Sequence, residues 1–97
     1  MKDKLPLVSI IIPCRNEEKY IERCLNSILE NDYPKDKLEI IVADGCSEDK
    51  TREITEGFIA KCSIIQLLDN PLKIHSSAFN IGIKKAKGKV IIIMGTH

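Results

Sequence analysis

The sequence predicts an α/β fold: a Rossmann-like, three-layer α/β/α domain built on one parallel sheet. Four short β-branched runs recur along the 97 residues, helical patterns separate them, and turn residues bound them. Runs this apolar, without clean alternation, are typical of strands buried on both faces of a parallel sheet. The alternation of strands with helices favours helices packed on both faces of that sheet. The length suits one small domain with a single core.

The four predicted strands differ from buried helix segments in their length and in the turn chemistry at their ends. Pro13 closes the first, Asp44 and Gly45 the second, and Asn70 with Pro71 the third. We assign the strands to residues 8–12, 38–43, 63–68 and 90–94.

Three amphipathic patterns between these strands predict helices. We expect Asn16 to cap the first, since an acidic turn follows it, and the second to start at Ser47. The third should start near residues 76–77, and Gly88 should end it as a C′ glycine. The residues expected to be buried on the second and third helices are Ile54, Phe58, Ile59, Phe79, Ile83 and Ala86.

The connections predict where a ligand would bind. Right-handed crossovers reduce the topologies to a few, and the doubly wound order 3-2-1-4 sets strands one and four side by side. Their carboxyl ends then flank the topological switch point, where ligands bind in open α/β sheets. This places residues 13–17, the loop after Asp44 and residues 95–97 around a candidate site.

Composition excludes several classes of function. A net charge of +1 and four aromatic residues without tryptophan argue against a nucleic-acid partner. The four cysteines form no C-x-x-C pair, which disfavours a zinc site and is typical of reduced intracellular thiols. The absence of a G-x-G-x-x-G or Walker A pattern disfavours dinucleotide oxidoreductases and P-loop NTPases.

No apolar stretch approaches the roughly 20 residues that a membrane helix needs, and no signal peptide precedes Pro6. We therefore expect a cytoplasmic protein, at the inner face of the membrane only if regions outside these 97 residues hold it there.

Two loops carry the candidate chemistry. The polar loop with Arg15, Asn16 and Glu17 feeds a helix start, where free N–H groups and the helix dipole favour an anion. Asp44, leaving a buried strand, can accept hydrogen bonds from a base ring N–H or a ribose hydroxyl. For each loop a purely structural explanation also stands: a capped helix start for the first, and a tight turn at Gly45 with capping for the second.

Four motifs in register resemble those of inverting glycosyltransferases of family 2. They are residues 8–13 with Arg15-Asn16-Glu17, Tyr33-Pro34 before residues 39–42, the Asp-Gly-x-Ser-x-Asp-x-Thr loop at residues 44–51, and Asn80-Ile81-Gly82. The resemblance runs from about residue 7 to residue 97 and is nearest to the bacterial exopolysaccharide-assembly branch. It identifies residues 1–97 as a truncated nucleotide-sugar-binding domain, a partial GT-A fold.

The resemblance also implies roles for individual residues. Pro13 and the adjoining loop would line the nucleotide site, Glu17 would sit beside the nucleotide, and Asp44 would contact the base. The further binding residues implied are Arg15, Asn16, Ser47 and Asn80. The donor would be a UDP-, GDP- or dTDP-sugar, displaced with inversion at its anomeric carbon for polysaccharide or glycan synthesis. Mg²⁺ or Mn²⁺ would neutralise the leaving diphosphate.

The chain departs from the family pattern at the fourth strand. An Asp-x-Asp motif usually follows there, whereas this chain has Gly95, Thr96 and His97. A branch with Asp-x-His makes His97 the candidate metal ligand, although imidazole suits Mn²⁺ better than Mg²⁺. Phe79 replaces an arginine that pairs with phosphate in many members.

We assign no catalytic residue, because the general base and further strands of a GT-A domain do not occur in these 97 residues. The 97-residue chain is therefore expected not to transfer sugar by itself. The fourth strand should form an exposed apolar edge that pairs with a second copy or with a separate partner. Such a non-catalytic pairing module is the alternative hypothesis, and a flavodoxin-like regulatory domain is a third.

Overall fold

A computed structural model describes residues 4–96 and contains one four-stranded parallel sheet. The strands lie in the order β3-β2-β1-β4, which confirms the predicted order 3-2-1-4. The 3-10 turn Lys35–Lys37 precedes the second strand. In chain order the elements are β1 Val8–Cys14, α1 Ile21–Leu29, β2 Leu38–Asp44, α2 Thr51–Lys61, β3 Ile65–Asp69, α3 His75–Lys85 and β4 Val90–Ile93.

The two faces of the sheet are covered by different helices, so the three-layer α/β/α prediction is confirmed. Successive side chains of a strand point to opposite faces. Ile10 and Ile12 of β1 belong to the same buried cluster as Leu25 of α1, and Ile54 of α2 packs against it. Ile11 is buried on the opposite face, beneath α3. These two apolar layers position the carboxyl ends of β1 and β2.

The predicted starts of the first two helices are wrong. Helix α1 begins at Ile21 and α2 at Thr51, each about four residues later than expected, and neither has a side-chain cap. Asn16 and Ser47, expected at those starts, hydrogen-bond to each other's loop instead. The starts are delayed because the polar groups that could cap each helix are used between the loops.

The end of α3 also differs from the prediction. Among the described residues no glycine has a positive φ, so Gly88 is not a left-handed C′ residue. The Gly88 N–H donates to Ser9 Oγ at 2.8 Å, and a Cβ at Gly88 would lie 2.5 Å from that oxygen. Gly88 is therefore required by close approach to β1. Ile83, predicted to be buried, is exposed, whereas Ala78 and Gly82 form the buried face of α3.

Strand β4 forms an apolar edge of the sheet, as predicted. Within residues 4–96 it pairs only with β1, and its four side chains are 41–47% exposed. None of the helices in residues 4–96 is long and apolar enough to cross a membrane.

Candidate functional site

The loops that follow β1 and β2 bind each other at the carboxyl edge of the sheet. The last pair in register is Cys14 with Asp44. Beyond it, the Asn16 N–H donates to Ser47 Oγ at 2.8 Å, and the Glu48 N–H donates to Asn16 Oδ1 at 2.7 Å. Asn16 adopts a left-handed φ of 56°, which asparagine tolerates better than most residues. This reciprocal pair joins the two loops into one unit.

A second set of hydrogen bonds extends this unit to the start of α2. The Glu17 N–H donates to Thr51 Oγ1 at 2.7 Å, and the Thr51 hydroxyl donates to Asp49 Oδ1 at 2.5 Å. Asp49 Oδ2 accepts the Glu18 N–H at 3.1 Å. Desolvation would raise the pKa of Asp49, but the hydrogen bonds from Thr51 and Glu18 outweigh it and lower that pKa.

Arg15 also links the loop after β1 to the loop after β2. Its Nε donates to the carbonyl oxygen of Gly45 at 2.8 Å, whereas its Nη2 is 3.4 Å from the exposed Glu48 carboxylate. An ion pair as exposed as this one contributes little to stability. The bond to the Gly45 carbonyl is therefore the contact by which Arg15 orders the loop.

Asp44 is the centre of the cluster, and its side chain is 0% exposed. Its carboxylate accepts hydrogen bonds from the Ser47 N–H at 3.1 Å, from the Ser47 hydroxyl and from Arg52 Nη1 at 3.0 Å. A weaker contact comes from Cys14 Sγ at 3.9 Å. A buried carboxylate needs such donors, because a charge that leaves water unpaired is costly.

Burial and the neighbouring carboxylate act together on Cys14. Desolvation, followed by the negative charges of Asp44 and Glu17, raises the pKa of the Cys14 thiol to about 12. The thiol is therefore protonated at neutral pH and can donate towards Asp44. Cys14 is a structural partner of the carboxylate and not a nucleophile.

Arg52 is a member of the cluster that the sequence pattern did not predict. Its Nη1 lies 3.0 Å from Asp44 Oδ2 and 2.7 Å from Asp69 Oδ1, so it bridges the ends of β2 and β3. The hydrogen bond to Asp44 raises the pKa of Arg52, against a smaller opposing effect of desolvation. A cation in the first turn of α2 is unfavourable for the helix dipole, and that mismatch could have indicated its role.

The turn after Asp44 is made by Cys46 and not by Gly45. Cys46 has a φ of 58°, whereas the φ of Gly45 is not positive, so the expected tight turn at Gly45 is corrected. Gly45 matters for its size, because a Cβ there would lie 3.2 Å from the Cα of Lys73.

The structure brings together six of the residues predicted from sequence to bind a nucleotide sugar. These are Pro13, Arg15, Asn16, Glu17, Asp44 and Ser47, all at the carboxyl ends of β1 and β2. Asn80 lies in the middle of α3 with its side chain exposed, outside this cluster of contacts. His97, the predicted metal ligand, lies outside the described residues.

Residues 4–96 contain no group of three or more His, Cys, Asp or Glu side chains that could hold a metal ion. The chain after β4 offers Gly95 and Thr96, and Thr96 Oγ1 is buried without a hydrogen-bond partner in the described part of the chain.

A parallel sheet in this order, with a polar cluster at its switch point, defines a Rossmann-like class of α/β domain. The model of one family, glycosyl transferase family 2, matches residues 9–97. The chain belongs to that family and contains part of a GT-A fold.

Curated relatives and solved structures agree with this assignment. The chain is 44% identical over 92 residues to the "Dolichyl N-acetyl-alpha-D-glucosaminyl phosphate 3-beta-D-2,3-diacetamido-2,3-dideoxy-beta-D-glucuronosyltransferase" of Methanococcus voltae. The match covers 93% of this chain and 29% of that protein. It is 35% identical over 95 residues to glycosyltransferase AglE of Haloferax volcanii, covering 97% of this chain and 31% of AglE.

Two solved structures share the fold. The mannosyltransferase PcManGT from Pyrobaculum calidifontis, in complex with GDP-Man and Mn²⁺, superposes with a TM-score of 0.90 at 30% identity, covering 98% of this chain and 28% of that one. TarS 1-349 of S. aureus in complex with UDP-GlcNAc gives a TM-score of 0.78 at 29% identity, covering 92% of this chain and 26% of that one. This chain therefore spans less than a third of each of the four proteins.

Proposed function

We propose that this chain binds the nucleoside diphosphate of a nucleotide-sugar donor, for inverting glycosyl transfer in polysaccharide or glycan synthesis. The observation that carries the proposal is the pair of joined loops around the buried Asp44 carboxylate, at the switch point of the sheet. The complexes of PcManGT with GDP-Man and of TarS with UDP-GlcNAc support it, since both share this fold.

Each residue of the cluster has a part in the proposal. Asp44 accepts a hydrogen bond from the base, Pro13 lines the nucleotide site, and Glu17 lies beside the nucleotide. Asn16 and Ser47 hold the two loops in register, because the Asn16 N–H donates to Ser47 Oγ and Asn16 Oδ1 accepts the N–H of the next residue, Glu48. The backbone N–H groups of Asn16, Glu17 and Glu18 donate to the loop after β2, so they hold the two loops together beside the nucleotide. Arg15 and Asn80 are the further contacts that we propose with the donor.

The experiment is a calorimetric or thermal-shift titration of the chain with UDP, GDP and dTDP and with their sugars. We expect one nucleotide to bind, and its affinity to fall at least tenfold in Asp44→Asn, because an amide replaces a charged acceptor. Asp32→Asn is the matched control, since it makes the same change at an exposed position outside the cluster. Absence of binding by every nucleotide would overturn the proposal.

The same titration can test whether nucleotide binding depends on a divalent cation. PcManGT was solved with Mn²⁺, which supports a divalent cation in the family. We propose His97 as the ligand to test, by comparing nucleotide binding with and without Mn²⁺ in the unaltered chain and in His97→Ala. A dependence on Mn²⁺ that His97→Ala leaves unchanged would remove His97 from the site.

We further propose that the 97-residue chain does not transfer sugar alone and that the acceptor site and general base belong to other residues. Transfer to an acceptor by the pure 97-residue chain would contradict this. We place the domain in the cytoplasm, where the four free thiols persist.

A second candidate function, a non-catalytic pairing module, is favoured by the exposed apolar edge of β4. Light scattering tests it, with Ile92→Lys as the variant, because a charge on an edge strand opposes pairing. A dimer that Ile92→Lys converts to monomer supports pairing through β4. A monomer at all concentrations contradicts pairing with a second copy.

A further inference from the structure

The carboxylate of Asp44 is closed to a ligand in this structure. Its side chain is 0% exposed, and its two oxygens accept from the Ser47 N–H, the Ser47 hydroxyl, Arg52 Nη1 and, weakly, Cys14 Sγ. A carboxylate has about four lone-pair sites, so these four donors account for its capacity. A base can reach Asp44 only if one of the donors leaves.

The four donors differ in their freedom to leave. The two Ser47 donors are fixed by the turn three residues beyond Asp44, and the Ser47 oxygen also accepts the Asn16 N–H. The Cys14 thiol is buried within β1. Arg52 has a long side chain that is 37% exposed. Arg52 is therefore the donor that can move without disturbing a strand or the joined loops.

Arg52 also has a second partner. The same Nη1 atom lies 2.7 Å from Asp69 Oδ1, and the Asp69 side chain is 76% exposed at the end of β3. If Arg52 releases Asp44, its charge keeps a carboxylate partner and does not become unpaired. The bridge between the two acidic residues therefore has the form of an exchange site, with one buried carboxylate and one exposed.

We propose that Arg52 is a positioning and specificity-determining residue, which yields its place on Asp44 to the ring N–H of the donor's base and moves wholly onto Asp69. The inference rests on the proposed function, because it needs Asp44 to receive the base. No covalent bond changes: one N–H···O hydrogen bond to the Asp44 side chain replaces another.

The exchange selects one chemical class of base. Uracil, thymine and guanine each carry a ring N–H that can replace the Arg52 donor. Cytosine has an unprotonated ring nitrogen at the corresponding place. This nitrogen is a hydrogen-bond acceptor, as the Asp44 oxygens are, so the two cannot bond. A base without the ring N–H therefore leaves Arg52 on Asp44 and loses this contact.

The test compares two nucleotides in two variants by calorimetry. The probes are CDP and whichever of UDP, dTDP or GDP binds the unaltered chain most tightly. In Asp69→Asn, Arg52 loses its charged second partner and holds Asp44 more firmly. We expect affinity for the ring N–H nucleotide to fall about two- to fivefold, the order of one exposed ion pair, with CDP binding unchanged.

The second variant separates exchange from a merely structural role. In Arg52→Ala no exchange is needed, so the preference for the ring N–H base over CDP should persist. Adding Asp69→Asn to Arg52→Ala should then have no further effect. If Arg52→Ala does not fold, the effect of Asp69→Asn, a change at an exposed side chain, on the binding of the two nucleotides still tests the exchange by itself.

Each contrary outcome is distinct. An equal fall for both nucleotides in Asp69→Asn, or no fall for either, overturns the role of Arg52 but leaves nucleotide binding standing. Loss of base preference in Arg52→Ala also overturns the exchange. Binding of nucleotides without any base preference overturns the contact at Asp44 and the exchange together. Absence of all nucleotide binding overturns the proposed function and, with it, this inference.

Discussion

A Cβ atom at Gly82 in α3 would lie 2.6 Å from Cγ2 of Ile11 in β1. Real Cβ atoms do not approach a neighbour so closely, and Ile11 is fully buried. The helix therefore packs on the sheet at a distance that only glycine permits at this position. The packing matters for the site because it fixes β1, whose last residues lead into the loop of Asn16.

Gly82→Ala should destabilise the chain by about 1–3 kcal/mol, the usual cost of forcing a methyl group into a packed core. The helix propensity of alanine, which favours the substitution, is too small to offset the clash. The measurement is the free energy of unfolding in urea. In an Ile11→Ala background, which removes Cγ1, Cγ2 and Cδ1 from the contact, Gly82→Ala should have little further cost.

Gly57 in α2 provides the matched control. A Cβ there has no neighbour within 4 Å, so Gly57→Ala gains helix propensity without a clash and should stabilise the chain by about 0.5–1 kcal/mol. Equal effects of the two substitutions would show that glycine at position 82 is not required by packing.

Replacing Cys46 by glycine should stabilise the folded chain. Its φ of 58° lies in the left-handed region, which costs a side chain about 1 kcal/mol or more, and its thiol makes only a 3.9 Å contact with the Asn70 carbonyl. Cys46→Gly should therefore raise the free energy of unfolding by about 0.5–1 kcal/mol, after the added freedom of the unfolded chain is subtracted.

The contrasting variant is Asn16→Gly, at a residue with nearly the same φ of 56°. Its side chain accepts the Glu48 N–H at 2.7 Å, so glycine relieves the backbone but removes that hydrogen bond. Asn16→Gly should give no gain in thermal unfolding. Stabilisation by both variants would mean that the bond between the loops contributes nothing.

The Cys14 thiol should make stability depend on alkaline pH. Its pKa is raised from 9.0 to about 12 in the folded chain, so its stabilising effect is complete below pH 9 and is lost between pH 9 and 12, as the unfolded chain ionises first. The loss should approach 1.4 kcal/mol per pH unit at most. Unfolding in urea across this range should be less steep in pH for Cys14→Ala.

Alkylation gives an independent check on the same residue. Cys46 is exposed and Cys14 is buried, so iodoacetamide at neutral pH should modify Cys46 first and leave Cys14 unmodified in the folded chain. Rapid modification of Cys14 without unfolding would contradict the raised pKa and the contact with Asp44.

The strands and their order could be predicted from the sequence, because each β-branched run is closed by its own turn residues and the parallel topology leaves few choices. The helix starts could not. Asn16 and Ser47 are good caps for their own helices, but each binds the other's loop, a contact between residues 31 positions apart. Local patterns contain no information about such partners.

The candidate site was likewise predicted only in part from the sequence. Asp44 could be found because a carboxylate at the end of a buried strand is conspicuous in the sequence. Arg52 could not, because its role depends on Asp44 and Asp69, which come from two different strands. The sequence favours a tight turn at Gly45, yet the left-handed φ belongs to Cys46, whereas Gly45 lies where its Cβ would be 3.2 Å from the Cα of Lys73.

Asp49 should make the joined loops sensitive to acid. Hydrogen bonds from Thr51 and Glu18 outweigh desolvation and lower its pKa below the ordinary value of 3.8. A carboxylate with a lowered pKa stabilises the folded chain above its unfolded value, and that contribution is lost as the pH falls through the folded value. The stability difference between the unaltered chain and Asp49→Asn should therefore be constant near neutrality and shrink below about pH 4.

Asp32→Asn, at an exposed position outside the loops, should show no such narrowing. Urea unfolding from pH 7 to pH 3 measures both differences, and a difference for Asp49→Asn that persists unchanged to pH 3 would show that its carboxylate charge does not hold the loops together.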